Sequence, residues 1–502
     1  MISPGLSTNT DGTSIEEGMV VTRKEFFIQQ QGKREHMSMI KLMTLTSFNL
    51  PYGAICGSMG LFVLPAEALR LWPKSQGPML GVMLGVVGVS QLICPIAGRF
   101  SDECTSSLGR RRPFIIGCTI TGILGVLLMW AASALKLGGV YIFLLFMSML
   151  SLNTIFSAQC GLVPDLVEPS QQGSASGIVA VHQLTGSITG FLVVLLTRMH
   201  DYHFIYIVYA LMVLLTTVIS CMTAKETPLP KHLSRPLTLS ALASSFSLDC
   251  SQGYDFLWVF IGRTFYYIGV SVQAFILYFL RDQIPTSDGT RPSEGQLQVW
   301  IAEIAITAQV VAAAVAYPMG RLSDNAEVGR KKLVYAACTV MAAVYLLFMT
   351  APFRPPNSLI SPVTVILACC IIYGVGCGCF LSVDYAIALD TLPSKHRQIK
   401  STETPLLMDS DETSATSPKE AALDAATDDA AAKDLGIWGV SAFLGSAIGP
   451  LLWGATLQLF GYTSTASAEE SYGFGGYASI MIGGCIACTL AGICIAFVRG
   501  TR

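Results

Sequence analysis

Charge is what this sequence has least of. Only 13% of its 502 residues are Asp, Glu, Lys or Arg, while 52% are hydrophobic and the mean hydropathy is +0.56. A soluble domain carries roughly 25% charged residues, so this chain cannot cover a fold of its size with solvated side chains. Its basic residues form short clusters in polar loops, a distribution that supports no nucleic-acid footprint. Nucleophile elbows, phosphate-cradling loops and metal-ligand spacings are also missing, so neither an enzyme nor a cofactor is expected. The fifteen cysteines do not alter this. Cys118, Cys160, Cys369, Cys370, Cys485 and Cys488 lie inside apolar runs, where a thiol behaves as a small hydrophobe. Cys377-Gly-Cys379 has the wrong spacing for a zinc knuckle. No short apolar run with a small-residue cleavage site opens the chain, so no cleaved signal peptide is expected.

What the sequence does have is apolar length. A bilayer core of about 30 Å needs roughly 20 apolar residues per helix. Runs of that length occur near 41–65, 77–98, 113–133, 138–162, 173–196, 203–223, 255–280, 296–319, 332–351, 361–388, 435–458 and 477–498. This predicts an all-α protein of twelve spanning helices. Lys and Arg set its orientation. With the N-terminus in the cytoplasm, inner segments hold 23 of the 31 Lys and Arg residues and outer loops hold 7, with Arg263 left inside a helix. Both termini are therefore expected to be cytoplasmic. Residues 1–40 read as a disordered tail, 41–223 and 255–502 as two six-helix halves, and 224–254 as the linker between them. A disordered acidic insert is expected at about 394–433. Its Glu403-Thr-Pro-Leu406-Leu407 has the look of a sorting signal, with chance in a low-complexity segment the plainer account.

The halves repeat. Gly98 to Pro113 reads GRFSDECTSSLGRRRP, and GRLSDNAEVGRKK follows at 320–332. Gly98 and Asp102 recur 222 residues later as Gly320 and Asp324, and Gly109 recurs as Gly329. Loops so charged cannot lie in hydrocarbon and must join helices on the water side. Asp165 and Asp390, 225 residues apart, end the fourth and tenth helices in the same way. Such duplication marks two structural repeats.

This loop resembles the signature between helices 2 and 3 of the major facilitator superfamily. With Cys104-Thr105-Ser106 before Gly109-Arg110-Arg111-Arg112-Pro113, it is most similar to the sucrose-transporter-like branch (glycoside-pentoside-hexuronide:cation symporters). Ser151-Leu-Asn153-Thr154 extends the likeness. The resemblance implies alternating-access transport of a small polar solute, a sugar or glycoside, with proton symport. It also implies a functional monomer in the plasma membrane or a vacuolar or endosomal membrane. Gly98, Asp102, Gly109, Arg110, Arg111, Arg112, Gly320, Asp324, Gly329 and Arg330 would form conformational latches. The branch's charged pair in helix 4 falls near Met149 and Cys160, neither of them charged, which counts against its proton route. Alternatives are an exporter or uncoupled facilitator of another metabolite, or a transport-inactive receptor signalling through the insert.

Ionisable groups inside a membrane are expensive and hence candidates for function. Arg263 lies about 13 Å into helix 7 and Glu303 about 10 Å into helix 8, at 1.5 Å per residue. Asp384, a turn above the end of helix 10, is the expected partner of Arg263, for a structural or a solute-binding role. Glu303 is either a proton carrier or a solvated vestibule residue. His182 is a proton relay or a structural histidine. Asn49, Asn153 and Gln159 suit hydrogen bonds to a polar solute, against the plainer role of joining helices. Tyr266 suits stacking on a sugar ring, against simple packing.

Overall fold

In the computed structural model, residues 34, 36–197, 203–234, 238, 246, 253–323, 327–356, 358, 360–392, 418–463 and 471–499 are described. Among these described residues, twelve helices are long and apolar enough to span a membrane. They are α1 (Asn49–Leu71), α2 (Gln76–Asp102), α3 (Arg112–Ala134), α4 (Gly138–Leu166), α5 (Ser174–Leu196) and α6 (Phe204–Thr223) in the first half. The second half has α7 (Asp255–Gln283), α8 (Glu294–Ser323), α9 (Arg330–Phe353), α10 (Pro362–Thr391), α11 (Ile437–Gly461) and α12 (Phe474–Ala496). A two-stranded antiparallel ribbon, β1 (Tyr462–Thr463) with β2 (Ser471–Tyr472), joins α11 to α12. Leu196, Met222 and Leu459 are about three-quarters exposed. Such residues favour a lipid solvent, which is why these helices are apolar on both faces.

Two boundaries differ from expectation. The first apolar run is split into a short helix, Met39–Leu45, and α1. Thr46 Oγ1 donates to Leu42 O at 2.9 Å and Asn49 Nδ2 to Thr46 O at 2.9 Å, so side chains cap carbonyls at the break. At the other end α1 continues to Leu71. The expected disordered insert is corrected in part: residues 418–433 form the first turns of a helix running from Pro418 to Gly461. Alanine is the strongest helix former, and AALDAATDDAAAK supplies it. Residues 394–417, with Leu406 and Leu407, lie outside the described residues, as do Asp324 and most of the 1–40 tail and the 224–254 linker.

Packing repeats between halves. Helix α1 packs on α5 as α7 does on α11; α2 on α4 as α8 on α10; α3 on α4 and α6 as α9 on α10 and α12. The halves meet along α2–α11 and α5–α8. Glycines make the first seam close. A Cβ at Gly81 would come within 2.5 Å of Pro450 O, and one at Gly88 within 2.7 Å of Ala447 Cβ. With Gly85, where a Cβ would come within 3.1 Å of the Leu451 side chain, this is small-residue packing at four- and three-residue intervals. Gly81→Val should push α11 away and lower the melting temperature of the purified protein by several degrees. Gly117→Ala, whose Cβ meets nothing within 4 Å, should leave it unchanged.

With an even number of spans, the start of α1 and the end of α12 lie at the end of the bundle carrying the loops near 103–111 and 327–329, here termed the basic end. Several hydrogen bonds join the halves away from that end. Tyr278 Oη donates to Pro65 O at 3.0 Å, and Tyr472 Oη accepts from Gly77 N at 3.0 Å. Arg281 Nη1 donates to Gln76 Oε1 at 3.3 Å, and Gln309 Nε2 to Ser187 Oγ at 3.1 Å.

Candidate functional site: a cavity, a buried ion pair and duplicated loop clusters

Helices α1 and α7 both depart from α geometry midway. Met59–Val63 widens into a π turn and Ser271–Phe275 tightens into a 3-10 turn. Such irregular turns concentrate at hinges and sites. The two segments touch and border a cavity of about 240 Å³. Leu61, Val272 and Phe275 come from these turns, and Phe279, Tyr345 and Tyr477 add aromatic wall. Its polar groups are few: Gln273, Gln309 and Tyr373. Tyr373 Oη donates to Gln273 Oε1 at 2.9 Å. An apolar chamber with a few fixed polar groups is the usual form of a small-molecule site.

None of the eight intramembrane candidates lines this cavity. Glu303 is exposed beside the lining residue Ile304. It shares a stripe with Gln296, Val310, Tyr317 and Arg321, at seven-, seven-, seven- and four-residue steps that keep one helix face. Its expected place in a vestibule or a low-dielectric interior is therefore corrected to the outer face of α8. Gln159 points at α6 and the short helix before α1, donating to Ser220 Oγ at 2.7 Å and Leu45 O at 2.8 Å. Asn49 accepts from Gln183 Nε2 at 3.3 Å. His182 Nδ1 lies 3.2 Å from Thr46 Oγ1. These contacts hold the bundle together. Asn153 is different: it accepts from Tyr52 Oη at 2.8 Å and donates to Ser90 Oγ at 2.9 Å, joining α1, α2 and α4. The ring of Tyr266 lies flat on Phe380, 3.4 Å between centroids, a packing contact.

The structure brings Arg263 and Asp384 together. Nε of Arg263 donates to Asp384 Oδ2 at 2.7 Å, and the two side chains are 8% and 6% exposed. Nη1 donates to Trp438 O at 2.7 Å and Ser441 Oγ at 3.2 Å. The guanidinium carbon sits 3.6 Å from the centre of the Trp438 ring, close enough for cation–π attraction. One arginine thus binds α7 to α10 and α11. Trp438 does not stand out in the sequence, because aromatic residues in apolar runs are common and only the fold sets this one over a cation.

At the basic end, ion pairs join helices within each half. Arg111 reaches Asp102 Oδ1 at 2.5 Å, Asp165 Oδ2 at 3.1 Å and Ser101 Oγ at 2.6 Å. Arg110 reaches Asp165 Oδ1 at 2.9 Å. In the second half Arg330 reaches Asp390 Oδ2 at 2.5 Å and Ala386 O at 3.0 Å. Gly109 and Gly329 hold φ of 108° and 72°, a region that suits glycine, so both repeats turn alike. Gly98 faces Ser157 and Gly320 faces Ser382. Arg112 contributes its backbone: its N–H and that of Arg111 donate to the Glu226 carboxylate at 2.9 to 3.1 Å. Burial raises the pKa of Glu226, and the backbone N–H bonds of Arg112 and Arg111 oppose that rise. Glu226 belongs to the linker, whose first residues are thus docked on this loop; Ser234 Oγ also donates to Glu103 O at 3.0 Å.

A further polar cluster is not foreseen from the sequence. Glu67, with no exposed surface, accepts from Ser133 Oγ at 2.6 Å and Tyr206 Oη at 3.1 Å, and lies 3.4 Å from His203 Nε2. Arg70 contacts both Ser133 and His203. A first helix ending at 65 would place Glu67 in a loop; the extra turns to Leu71 bury it.

The sequence profile of the Major Facilitator Superfamily matches residues 43–397. No match is found among curated proteins. Among solved structures, the fold is similar to that of a point mutant of the nucleoside transporter NupG. That comparison has a TM-score of 0.62 at 11% identity and covers 92% of this chain and 99% of the other. A second NupG structure gives 0.59 at 12% identity, covering 91% and 99%.

Proposed function

The chain belongs to the major facilitator superfamily, and from that premise we propose that it is a secondary active transporter of a small polar solute, a sugar or glycoside, coupled to protons. The observation that carries this reading is the cavity between α1, α7, α8 and α10. Its 240 Å³ falls just under the roughly 300 Å³ at which drug-sized sites begin, which suits a solute of one or two rings. Aromatic walls suit the faces of such rings, and Gln273, Gln309 and Tyr373 suit hydroxyls. A nucleoside is itself a glycoside, so the likeness to a nucleoside transporter is in keeping with this class.

Both termini and the basic end face the cytoplasm in this reading, by the bias of Lys and Arg. The arrangement described is then closed on the outer side. Rocking of the halves about the π and 3-10 turns exposes the cavity to each side in turn. The Asp102, Arg111 and Asp165 cluster and the Arg330–Asp390 pair latch each half, and they shift the balance only by the difference in contact energy between states.

Proteoliposomes containing the protein are expected to accumulate a labelled sugar or nucleoside when an inward proton gradient is imposed. Gln273→Ala should raise KM about tenfold or more while the protein still inserts, as loss of a buried solute hydrogen bond does. Equilibration without accumulation would replace symport by facilitated diffusion. No uptake of any sugar or nucleoside by folded protein would remove the solute assignment.

A further inference from the structure

A second cavity, about 380 Å³, opens at the end of the bundle opposite the basic loops, between α1, α7 and the start of α8. Three guanidinium groups line it: Arg70 from the first half, and Arg281 and Arg291 from the second. The acids that pair with these helix ends are turned away from it. Glu67 and Asp282 have no exposed side-chain surface. Glu67 accepts from Ser133 and Tyr206, and Asp282 accepts from Tyr472 N at 3.0 Å and Tyr477 Oη at 2.7 Å. Neither is in the cavity wall, where Glu294 is the one carboxylate among the described residues. The wall therefore presents more positive than negative charge. Arg281 is held by Asp282 at 2.8 Å and by Gln76, itself a lining residue. Arg291 is exposed and makes no ion pair among the described residues.

Gln298 also lines this cavity and adds an independent sign of a ligand. It is 4% exposed, and its Oε1 accepts no hydrogen bond. A buried acceptor left unpaired is costly and calls for a partner. An occupant that satisfies both features needs acceptor oxygens for guanidinium groups and one hydroxyl to donate to Gln298. We propose that this cavity is an anion site for a phosphate or carboxylate group that also carries an O–H. Guanidinium forks bind such groups in two-point contacts. Because Arg70 stands on one half and Arg281 and Arg291 on the other, a bound anion holds this end of the halves together. The site is separate from the α7–α10 cavity, and the inference stands without any assignment of the transported solute.

Inorganic phosphate is the direct probe, since its protonated forms carry both acceptors and an O–H. Full-length protein purified in detergent should melt at a temperature that rises saturably with phosphate, and not with sodium chloride of equal ionic strength. Arg291→Gln and Gln298→Leu should each weaken the apparent phosphate affinity about tenfold or more, while melting close to the wild type without phosphate. In nanodiscs, loss of the phosphate response with phosphatidylglycerol but not phosphatidylcholine would identify a lipid headgroup as the source of the same chemistry. A phosphate response kept in both lipids would identify a soluble anion. No saturable response in wild-type detergent samples, or wild-type phosphate affinity in both variants, would overturn the site.

Discussion

Arg263→Ala is expected to abolish transport and to destabilise the protein by about 3–5 kcal/mol, the usual cost of removing one partner of a buried ion pair. The size follows from what the guanidinium serves. It neutralises Asp384, satisfies Trp438 O and Ser441 Oγ, and lies over the Trp438 ring. Alanine leaves a carboxylate 6% exposed with no counter-charge. Asp384→Asn in the same chain removes that charge and should recover part of the stability and of the flux. The coupling energy from the four proteins should reach at least about 1.5 kcal/mol, measured by thermal unfolding in detergent and by uptake. Additive effects would show that the pair is a bystander to both.

Arg111→Ala is expected to have the next largest effect. Asp102 and Asp165 would lose their shared cation, leaving Arg110 on Asp165. A loss of about 3 kcal/mol with severe loss of transport is expected. Arg111→Lys should not restore either, because an ammonium cannot make the forked contacts of a guanidinium. Gly161 shows how closely the side chain is fitted: a Cβ there would meet Arg111 Cζ at 2.4 Å. Asp102 is 44% exposed in its side chain, so Asp102→Asn should spare insertion and reduce transport. Wild-type flux in Asp102→Asn would argue against a latch.

The residues that can be found from sequence share one property, a charge where the bilayer penalises charge. Arg263 and Asp384 stand out for that reason, and depth along α7 and α10 is enough to pair them. The duplicated loops stand out because glycine and charge recur at a fixed interval. Glu303 meets the same test but faces outward, since helical position relative to the neighbours, not depth, decides what a side chain meets. Asn49, Gln159 and His182 are polar in apolar runs too, and their partners are backbone, amide and hydroxyl groups of the same half. Gln273, Gln309, Tyr373 and Trp438 do not stand out, because one amide or ring in an apolar run is ordinary.

By itself, the sequence determined the twelve spans, their division into two similar halves and the loops that carry the charge. Hydrophobic length and backbone hydrogen bonding in lipid permit little else. Tertiary structure alone decided which helix faces meet: glycine contacts along α2 and α11, the buried polar cluster around Glu67, and a cavity set by irregular turns in α1 and α7. Those outcomes depend on rotation and close approach between helices. In a chain apolar on every face, periodicity carries no record of which side is turned inward.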